Sequence, residues 1–585
     1  MLKAFWTWLP VASGTYRAFD EPFAYANNRW FFDKSIWQKM FRAMSSCGFN
    51  AMVLANTHPF PFMVDLPAYP DACVIGEEDL RGYQQMSHWI LETAIEYEIA
   101  PYLLFFTIYY PAPMLESRGI LRQAQDDRGG AQDDRGAYSP TDLALEYTHY
   151  CVRELLSTYP ELAGIFADAS EAVSERRAEF VQHAVVDALD AVRPDAALYI
   201  RGWCGDAKEF VSGIKRRAGR PLHYSVKYTY EHLVDPNPDP MFSQWVEAAG
   251  APNVAAELWI SNFEPWTSFS YETAEGILDN LTDMGCAGFS LHPLSLYEWP
   301  RTSDTCFRYQ FLRDMVWYSV WGGTGLDRLL NQGQPKWLLR NHRLMPGFQA
   351  ASRIMELLAL YFAGDKQNQW HPQFCSIRDY EGGHGGPPLR PGLDGAPPHL
   401  FSIEDMLHLD DQPVFWGRDW WREITGDTVV HLAEYVKSGT PENAYGPDEL
   451  IEELADLAEQ AVAAGEKGMS SASGEKELPS FARDAFCMGR LGEFYVERLR
   501  AALSHARGDD AEALEHMSRA LGLYRDIRGV DRSHRGPFRV ITGRCALICD
   551  WLDVVRALEA EYADASSGEF KRGTSYPIGR LDGTP

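Results

Sequence analysis

The segment from Gly164 to Arg177 reads GIFADASEAVSERR, and it changes within a few residues from an apolar, strand-like pattern to a polar, helix-like one. At the change it places Asp168, Ser170 and Glu171 close together. Two carboxyl groups at the end of an apolar strand suit acid–base chemistry, because one can donate a proton while another activates water or acts as a nucleophile. The pattern therefore predicts a reactive site at this strand end.

Polar side chains end or follow other apolar runs of the chain as well. The candidate site residues found in this way are Asn56, His58, Asp168, Glu171, Arg201, Trp203, Lys227, Glu231, Glu257, Glu264, Trp266 and His292. Paired carboxylates among aromatic side chains are the groups that glycoside hydrolysis requires. Position alone also allows a structural role, in which Glu257 and Lys227 form an ion pair in a core layer.

Eight short apolar runs, each followed by a helix-like pattern, supply these positions. They occupy residues 4–9, 49–55, 100–108, 162–168, 196–203, 222–228, 253–260 and 286–292. Strands that alternate with helices indicate parallel βαβ units, and eight of them predict a (β/α)8 TIM barrel. Loops at the carboxyl ends of barrel strands carry the active sites of such proteins, so the candidate residues are expected to converge there.

After about residue 325 helical periodicity dominates the sequence. We expect a catalytic barrel over residues 1–325 and an α-helical C-terminal domain over 326–585, with a Gly/Pro-rich loop at 381–400. The helical domain is a candidate homodimer surface. A tandem AQDDRG repeat at 124–136 is typical of a surface insertion, and no function is assigned to it.

The composition narrows the range of partners. A net charge of −28 disfavours nucleic acid and anionic membranes, and no apolar run approaches the roughly 18 residues of a membrane span. Ten scattered cysteines fit reduced thiols in a cytoplasmic protein, with Cys545 and Cys549 read as part of an apolar helical stretch. No HxH or HExxH motif accompanies His58 or His292, so neither a metal nor another cofactor is predicted.

Five short motifs resemble the α-glucuronidases that remove glucuronic acid side chains from xylan fragments. They are RAMSSCGFNAMVLAN (42–56), ADASEA before and around Glu171, YIRGW around Arg201, VKYTYEHLVD from Val226, and ELWISNFEPW from Glu257. The resemblance implies a glycosidase in which Glu171 is the general acid and Arg201 and Lys227 hold the sugar carboxylate. It further implies water activation by Glu264, with Glu231 or Asp235 as the second candidate base.

The leading prediction is an exo-acting hydrolase that inverts the anomeric configuration, and the alternative is a hydrolase that retains it. Inversion by Glu171 and Glu264 needs carboxyl groups about 6.5–9.5 Å apart, whereas retention by Glu171 and Glu257 needs about 5–5.5 Å. Asp168 is expected beside Glu171 as a like charge. Asn56 and His58 are candidates for binding sugar hydroxyls, His292 for lining the pocket, and Trp203 and Trp266 for stacking on sugar rings. A carbohydrate-binding protein on a degenerate barrel is the alternative from another class, and a metal-dependent barrel hydrolase ranks third.

Overall fold

Eight parallel strands close into a barrel in the order β1 to β8, which confirms the predicted TIM barrel. The strands are β1 Leu2–Trp8, β2 Ala51–Ala55, β3 Ala100–Phe106, β4 Gly164–Asp168, β5 Ala197–Arg201, β6 His223–Lys227, β7 Val254–Trp259 and β8 Gly288–His292. Each lies within two residues of the predicted run at either end, because short apolar runs bounded by polar turns mark buried strands clearly.

The computed structural model describes residues 1–9, 29–56, 58–107, 114, 142–168, 177–202, 206–216, 221–229, 235–259, 265–292, 300, 302, 304–323, 341–362, 370–377, 399–409, 422, 425–471, 477–532, 538–542, 545–578 and 580–582. The predicted repeat at 124–136 and most of the predicted loop at 381–400 lie outside these ranges. The last two residues of that loop form a short strand. The expected boundary at 325–326 also falls outside them and stays a prediction.

Alternate residues of each strand point into the barrel. Ala4, Trp6, Val53, Leu104 and Phe166 belong to one buried interior cluster, whereas the residues between them pack against the surrounding helices. A strand has a side-chain period of two, so the same alternation continues to the carboxyl ends of the strands. Gly288 allows β8 to lie close to β1 where the barrel closes, because a Cβ at this position would lie only 2.0 Å from the Leu2 carbonyl oxygen.

Helices cover the outside of the barrel. They are α1 Lys34–Cys47, α2 Phe60–Met63, α3 Glu77–Glu96, α4 Asp142–Thr158, α5 Arg177–Val181, α6 Asp187–Val192, α7 Ala207–Gly213, α8 Pro240–Ala249, α9 Tyr271–Met284, α10 Gln310–Arg313 and α11 Met315–Trp321, with a π-helical turn at Gln182–Val186 between α5 and α6. Local sequence fixes their ends: the Asp33 carboxylate accepts from the Ser35 N–H at the start of α1, and Gly48 ends α1 at φ 94°.

The C-terminal region is mainly helical, as predicted. Its helices are α12 Met345–Phe362, α13 Ile403–Leu407, α14 Leu432–Ser438, α15 Pro447–Met469, α16 Glu477–Ala506, α17 Asp510–Asp531 and α18 Trp551–Ser566. Short strands accompany them: β9 Trp370–His371, β10 Ser376–Ile377, β11 His399–Leu400, β12 Thr428–Val429, β13 Ala444–Tyr445, β14 Phe538–Thr542, β15 Cys545–Cys549 and β16 Arg580–Asp582.

The expectation of a helix through Cys545 and Cys549 is wrong, because these residues form β15, which pairs with β14 and β16. Cys-Ala-Leu-Ile-Cys is a five-residue apolar run. Periodicity alone does not show whether such a run forms a buried helix segment or a buried strand. Within the described ranges, no helix has the length and hydropathy of a transmembrane span.

Candidate active site

Four charged residues occupy inward-facing positions near the carboxyl ends of neighbouring strands. Asp168 ends β4, Arg201 ends β5, Lys227 ends β6, and Glu257 lies two residues before the end of β7. The strand register aligns Asp168 with Arg201 and Lys227 with Glu257. All four are at most 2% exposed. The structure thus brings together two predicted carboxylates and both predicted cations at the end of the barrel where active sites lie.

Arg201 connects the two carboxylates. Its Nε donates to Glu257 Oε2 at 2.8 Å, its Nη2 donates to Glu257 Oε1 at 2.5 Å, and its Nη1 donates to Asp168. The Ser225 hydroxyl adds a long contact of 3.4 Å to Glu257 Oε2. A planar guanidinium that binds one carboxylate through two parallel hydrogen bonds fixes the position of that carboxylate. Glu257 therefore has the ion-pair role that the sequence allowed, but its partner is Arg201.

Aromatic rings border this charged layer. The Trp6 ring centroid lies 5.4 Å from the Arg201 guanidinium carbon and 4.5 Å from the His292 ring centroid. The Phe106 ring lies 5.8 Å from the same guanidinium carbon. These contacts desolvate the arginine and stabilise its charge through the ring faces. His292, predicted as pocket lining, does lie beside the charged layer, at the end of β8.

Asn56 and His58 have internal hydrogen-bond partners. The Asn56 amide donates to the Leu9 carbonyl at 2.9 Å and its oxygen accepts from the His58 N–H at 2.8 Å. His58 Nε2 lies 2.9 Å from the Tyr147 hydroxyl, and burial lowers the pKa of His58 to about 3. These bonds hold the segment after β2 in place, so any contact with substrate hydroxyls stays a prediction.

Trp266 lies away from the barrel interior. It is 1% exposed and stacks on Trp551 of α18 with a centroid distance of 5.5 Å and an interplanar angle of 11°. A parallel ring pair in this position belongs to the packing between the barrel and the C-terminal helices. Its predicted stacking on a sugar ring gains no support from this placement.

Four remaining candidates fall in segments that the structure does not describe. Glu171, Trp203, Glu231 and Glu264 lie outside the described residues, so their predicted roles stay proposals. Asp235, the substitute for Glu231, accepts from the Asn237 N–H at 2.8 Å in a tight turn. Asp235 therefore stabilises a local turn.

An open cavity of about 480 Å³ lies on the outside of the barrel, lined by side chains of α4, including Tyr150 and Arg153, and by His183 and Asp187. None of its lining residues faces the barrel interior, so it is separate from the charged layer. Within the described ranges, no group of three or more His, Cys, Asp or Glu side chains is arranged to hold a metal ion.

This protein resembles known proteins in its structure. No protein-family model and no curated protein matches the sequence. The structure is similar to that of a GH138 enzyme targeting pectin rhamnogalacturonan II, with a TM-score of 0.77 and 18% identity over 96% of this chain and 67% of that chain. Lower TM-scores are found for CpGH84B (0.36; 9% identity; 90% of this chain, 74% of that chain) and the beta-glycosidase BGL167 (0.33; 10%; 50%, 86%). At 18% identity the first likeness establishes a common fold.

Sequence reasoning missed several residues of the charged layer. Trp6, Phe106 and Ser225 contact Arg201 or Glu257 but were not among the candidates. The signal was the alternation within each strand: Trp6 is two residues from Ala4, and Phe106 is two residues from Leu104, on the inward side. Counting back by twos from each strand end would have found them.

Proposed function

We propose that this protein is a glycoside hydrolase that releases a uronic acid from an oligosaccharide. The observation that carries the proposal is the buried layer of Asp168, Arg201, Lys227 and Glu257 at the carboxyl end of a TIM barrel. The fold shared with an enzyme that targets a pectic polysaccharide supports a carbohydrate substrate. Pectic and xylan-derived uronides are thus the first substrates to examine.

The proposed mechanism retains the anomeric configuration. Glu257, held in position by Arg201, attacks the anomeric carbon while Glu171 donates its proton to the leaving oxygen. A covalent glycosyl–Glu257 ester results, and the aglycone leaves as an alcohol. Glu171 then removes a proton from water, the water oxygen attacks the anomeric carbon, and the ester bond breaks to regenerate the Glu257 carboxylate.

The proposed substrate carries a carboxylate because the layer supplies two cations in a strongly acidic protein. Arg201 and Lys227 lie on adjacent strands, and a cation there would pair with the carboxylate of an anionic sugar but not with a neutral one. Arg201 uses three N–H donors on Glu257 and Asp168. The proposed recognition of the sugar carboxylate involves Lys227 together with Arg201.

Proton NMR of the first product tests this mechanism. Incubation with aryl α- and β-glucuronides, aryl galacturonides and aldouronic acids should release a uronic acid whose initial anomer matches that of the substrate. An initial anomer of opposite configuration would transfer the second carboxylate role from Glu257 to Glu264 or Glu231. Saturable binding of uronic acids without turnover of any uronide would instead favour the carbohydrate-binding alternative.

A further inference from the structure

The described part of the connection from β7 to α9, residues 265–270, is held by three helices of the C-terminal region. The Thr267 N–H donates to Asp484 Oδ2 of α16 at 2.9 Å, and the Phe269 N–H donates to the Ser352 hydroxyl of α12 at 2.7 Å. Trp266 stacks on Trp551 of α18. We name residues 265–270 the β7 loop.

A second connection reaches the same aspartate. Arg313, at the end of α10, donates through Nη2 to Asp484, through Nε to Asp304 at 3.1 Å, and through Nη1 to the Pro265 carbonyl at 3.3 Å. The Ser480 hydroxyl of α16 donates to Asp304. Asp304 and Arg313 belong to the connection that follows β8, so α16 joins the connections after β7 and β8.

The charged side chains of this network are buried. Arg313 and Asp484 are 0% exposed, and Thr267 and Ser480 are also fully buried. A buried ion pair contributes little net stability compared with apolar packing, but it fixes geometry because removing one partner leaves the other charge unpaired. The β7 loop follows the strand that carries Glu257 and begins one residue after Glu264. The β7 loop is therefore the described segment that follows both candidate carboxylates in sequence.

We propose that Asp484 is a positioning residue of the active site: it anchors the β7 loop to the C-terminal helices and so sets the position of the β7 end. The inference rests on the proposed hydrolase function for its kinetic part. Its structural part, the anchoring, is independent of the reaction.

The test compares Asp484→Asn with Glu561→Gln in the full-length protein. Glu561 is a matched control because it is a buried carboxylate of the C-terminal region, bonded to Arg498 and to the Ile403 N–H at 2.8 Å, on α18 ten residues beyond Trp551. We expect Asp484→Asn to lower kcat on a uronide about 10- to 100-fold with KM nearly unchanged, since small misplacements of reacting groups cost this much. Glu561→Gln should lower thermal stability but leave kcat near the wild-type value.

Hydrogen exchange provides the second measurement. Peptides covering residues 265–270 should exchange faster in Asp484→Asn than in the wild type and in Glu561→Gln. Equal loss of kcat in both variants, or unchanged exchange in the β7 loop, would overturn the inference. If the wild type hydrolyses no uronide, the proposed function fails, and the exchange result alone decides the anchoring. Should Asp484→Asn not fold, Ser352→Ala replaces it, because this variant removes only the acceptor of the Phe269 N–H. We expect it to lower kcat and to speed exchange in the β7 loop, both to a smaller extent.

Discussion

Two buried arginines of this protein are each held by two carboxylates, but in different surroundings. Arg201 of β5 binds Asp168 of the adjacent strand β4 and Glu257 of β7, two strands away, in a layer that also contains Lys227. Arg313 binds Asp304 and Asp484 at a contact between barrel connections and a C-terminal helix. The two clusters contain the same chemical groups and differ in location. The Arg201 cluster lies at the carboxyl end of the barrel strands, and the Arg313 cluster lies in the packing between the barrel and the C-terminal helices.

Burial and ion pairing therefore do not identify a reactive group by themselves. Both clusters are at most 2% exposed, and both would be costly to break. The Arg201 cluster is a candidate site because strand alternation points its residues into the barrel at the end where loops complete active sites. The Arg313 cluster is expected to act at a distance, by holding connections in place.

Glu257→Gln is predicted to cause the greatest loss of activity. This substitution keeps the size of the side chain but removes the charge of the proposed nucleophile, so kcat on a uronide should fall about 10⁴-fold or more. Steady-state kinetics with an aryl uronide measure the loss. The matched Glu561→Gln variant should keep nearly full activity, and similar losses in the two variants would show that Glu257 has no special role.

Arg201→Lys and Arg313→Lys compare the two clusters directly. Lysine keeps the charge but loses the planar fork, so both variants should unfold at lower temperature. We expect Arg201→Lys to reduce kcat/KM about 100-fold and Arg313→Lys to reduce it about 10-fold, because the first orients a reacting group and the second acts through the β7 loop. Calorimetry and kinetics on the same preparations check this order, and the reverse order would contradict the assignment of the two clusters.

Lys227→Met tests whether Lys227 recognises the negative charge of the substrate. Loss of one cation beside a bound carboxylate should raise KM for a uronide about 10-fold, with a smaller change in kcat, because the interaction is made in the ground state and the transition state alike. Inhibition by the free uronic acid should weaken in parallel, whereas inhibition by the matching neutral hexose should not. Equal weakening of both sugars would show that Lys227 acts on structure and not on charge recognition.

The smallest effect is expected at Asp314, which lies beside Arg313. Burial raises the pKa of the Asp314 carboxyl from 3.8 to about 6. A raised carboxyl pKa means that the folded state binds more protons than the unfolded state between these values, so stability falls as pH rises from about 4 to 6. Asp314→Asn should therefore raise the free energy of unfolding at pH 7 by about 1–3 kcal/mol, with the gain vanishing near pH 4.

Urea denaturation at pH 4 and pH 7 measures the Asp314 difference. A variant less stable than the wild type at pH 7 would contradict the expectation. It would also show that the Gln310 amide, which donates to Asp314 Oδ2 at 2.8 Å, needs the charged acceptor.

The barrel was predictable from the sequence because its signal is local. Runs such as Ala51–Ala55 and Gly164–Asp168 are apolar nearly throughout and are bounded by polar residues, so each strand is visible in the sequence alone. The placement of Asp168, Arg201 and Lys227 at strand ends followed from the same signal. The strand at Cys545–Cys549 was missed because its pairing with β14 and β16 depends on segments that the run itself does not encode.

The pairing within the site was not predictable. Arg201 was expected to hold a sugar carboxylate, yet it holds Glu257 and Asp168, because side-chain partners depend on distances across the barrel and not on order along one strand. Trp266 shows the same limit: its neighbour Trp551 is remote in sequence, so only the tertiary fold distinguishes a packing tryptophan from one that could stack on a sugar.

The bond from the Thr267 N–H to Asp484 spans 217 residues of chain. During synthesis, the barrel strands emerge from the ribosome well before α16, so a nascent chain can complete the barrel while the β7 loop still lacks its anchor. Such long-range contacts form late and slow folding. Newly made protein should therefore acquire its barrel first and its mature reactive geometry only after the last helices have docked.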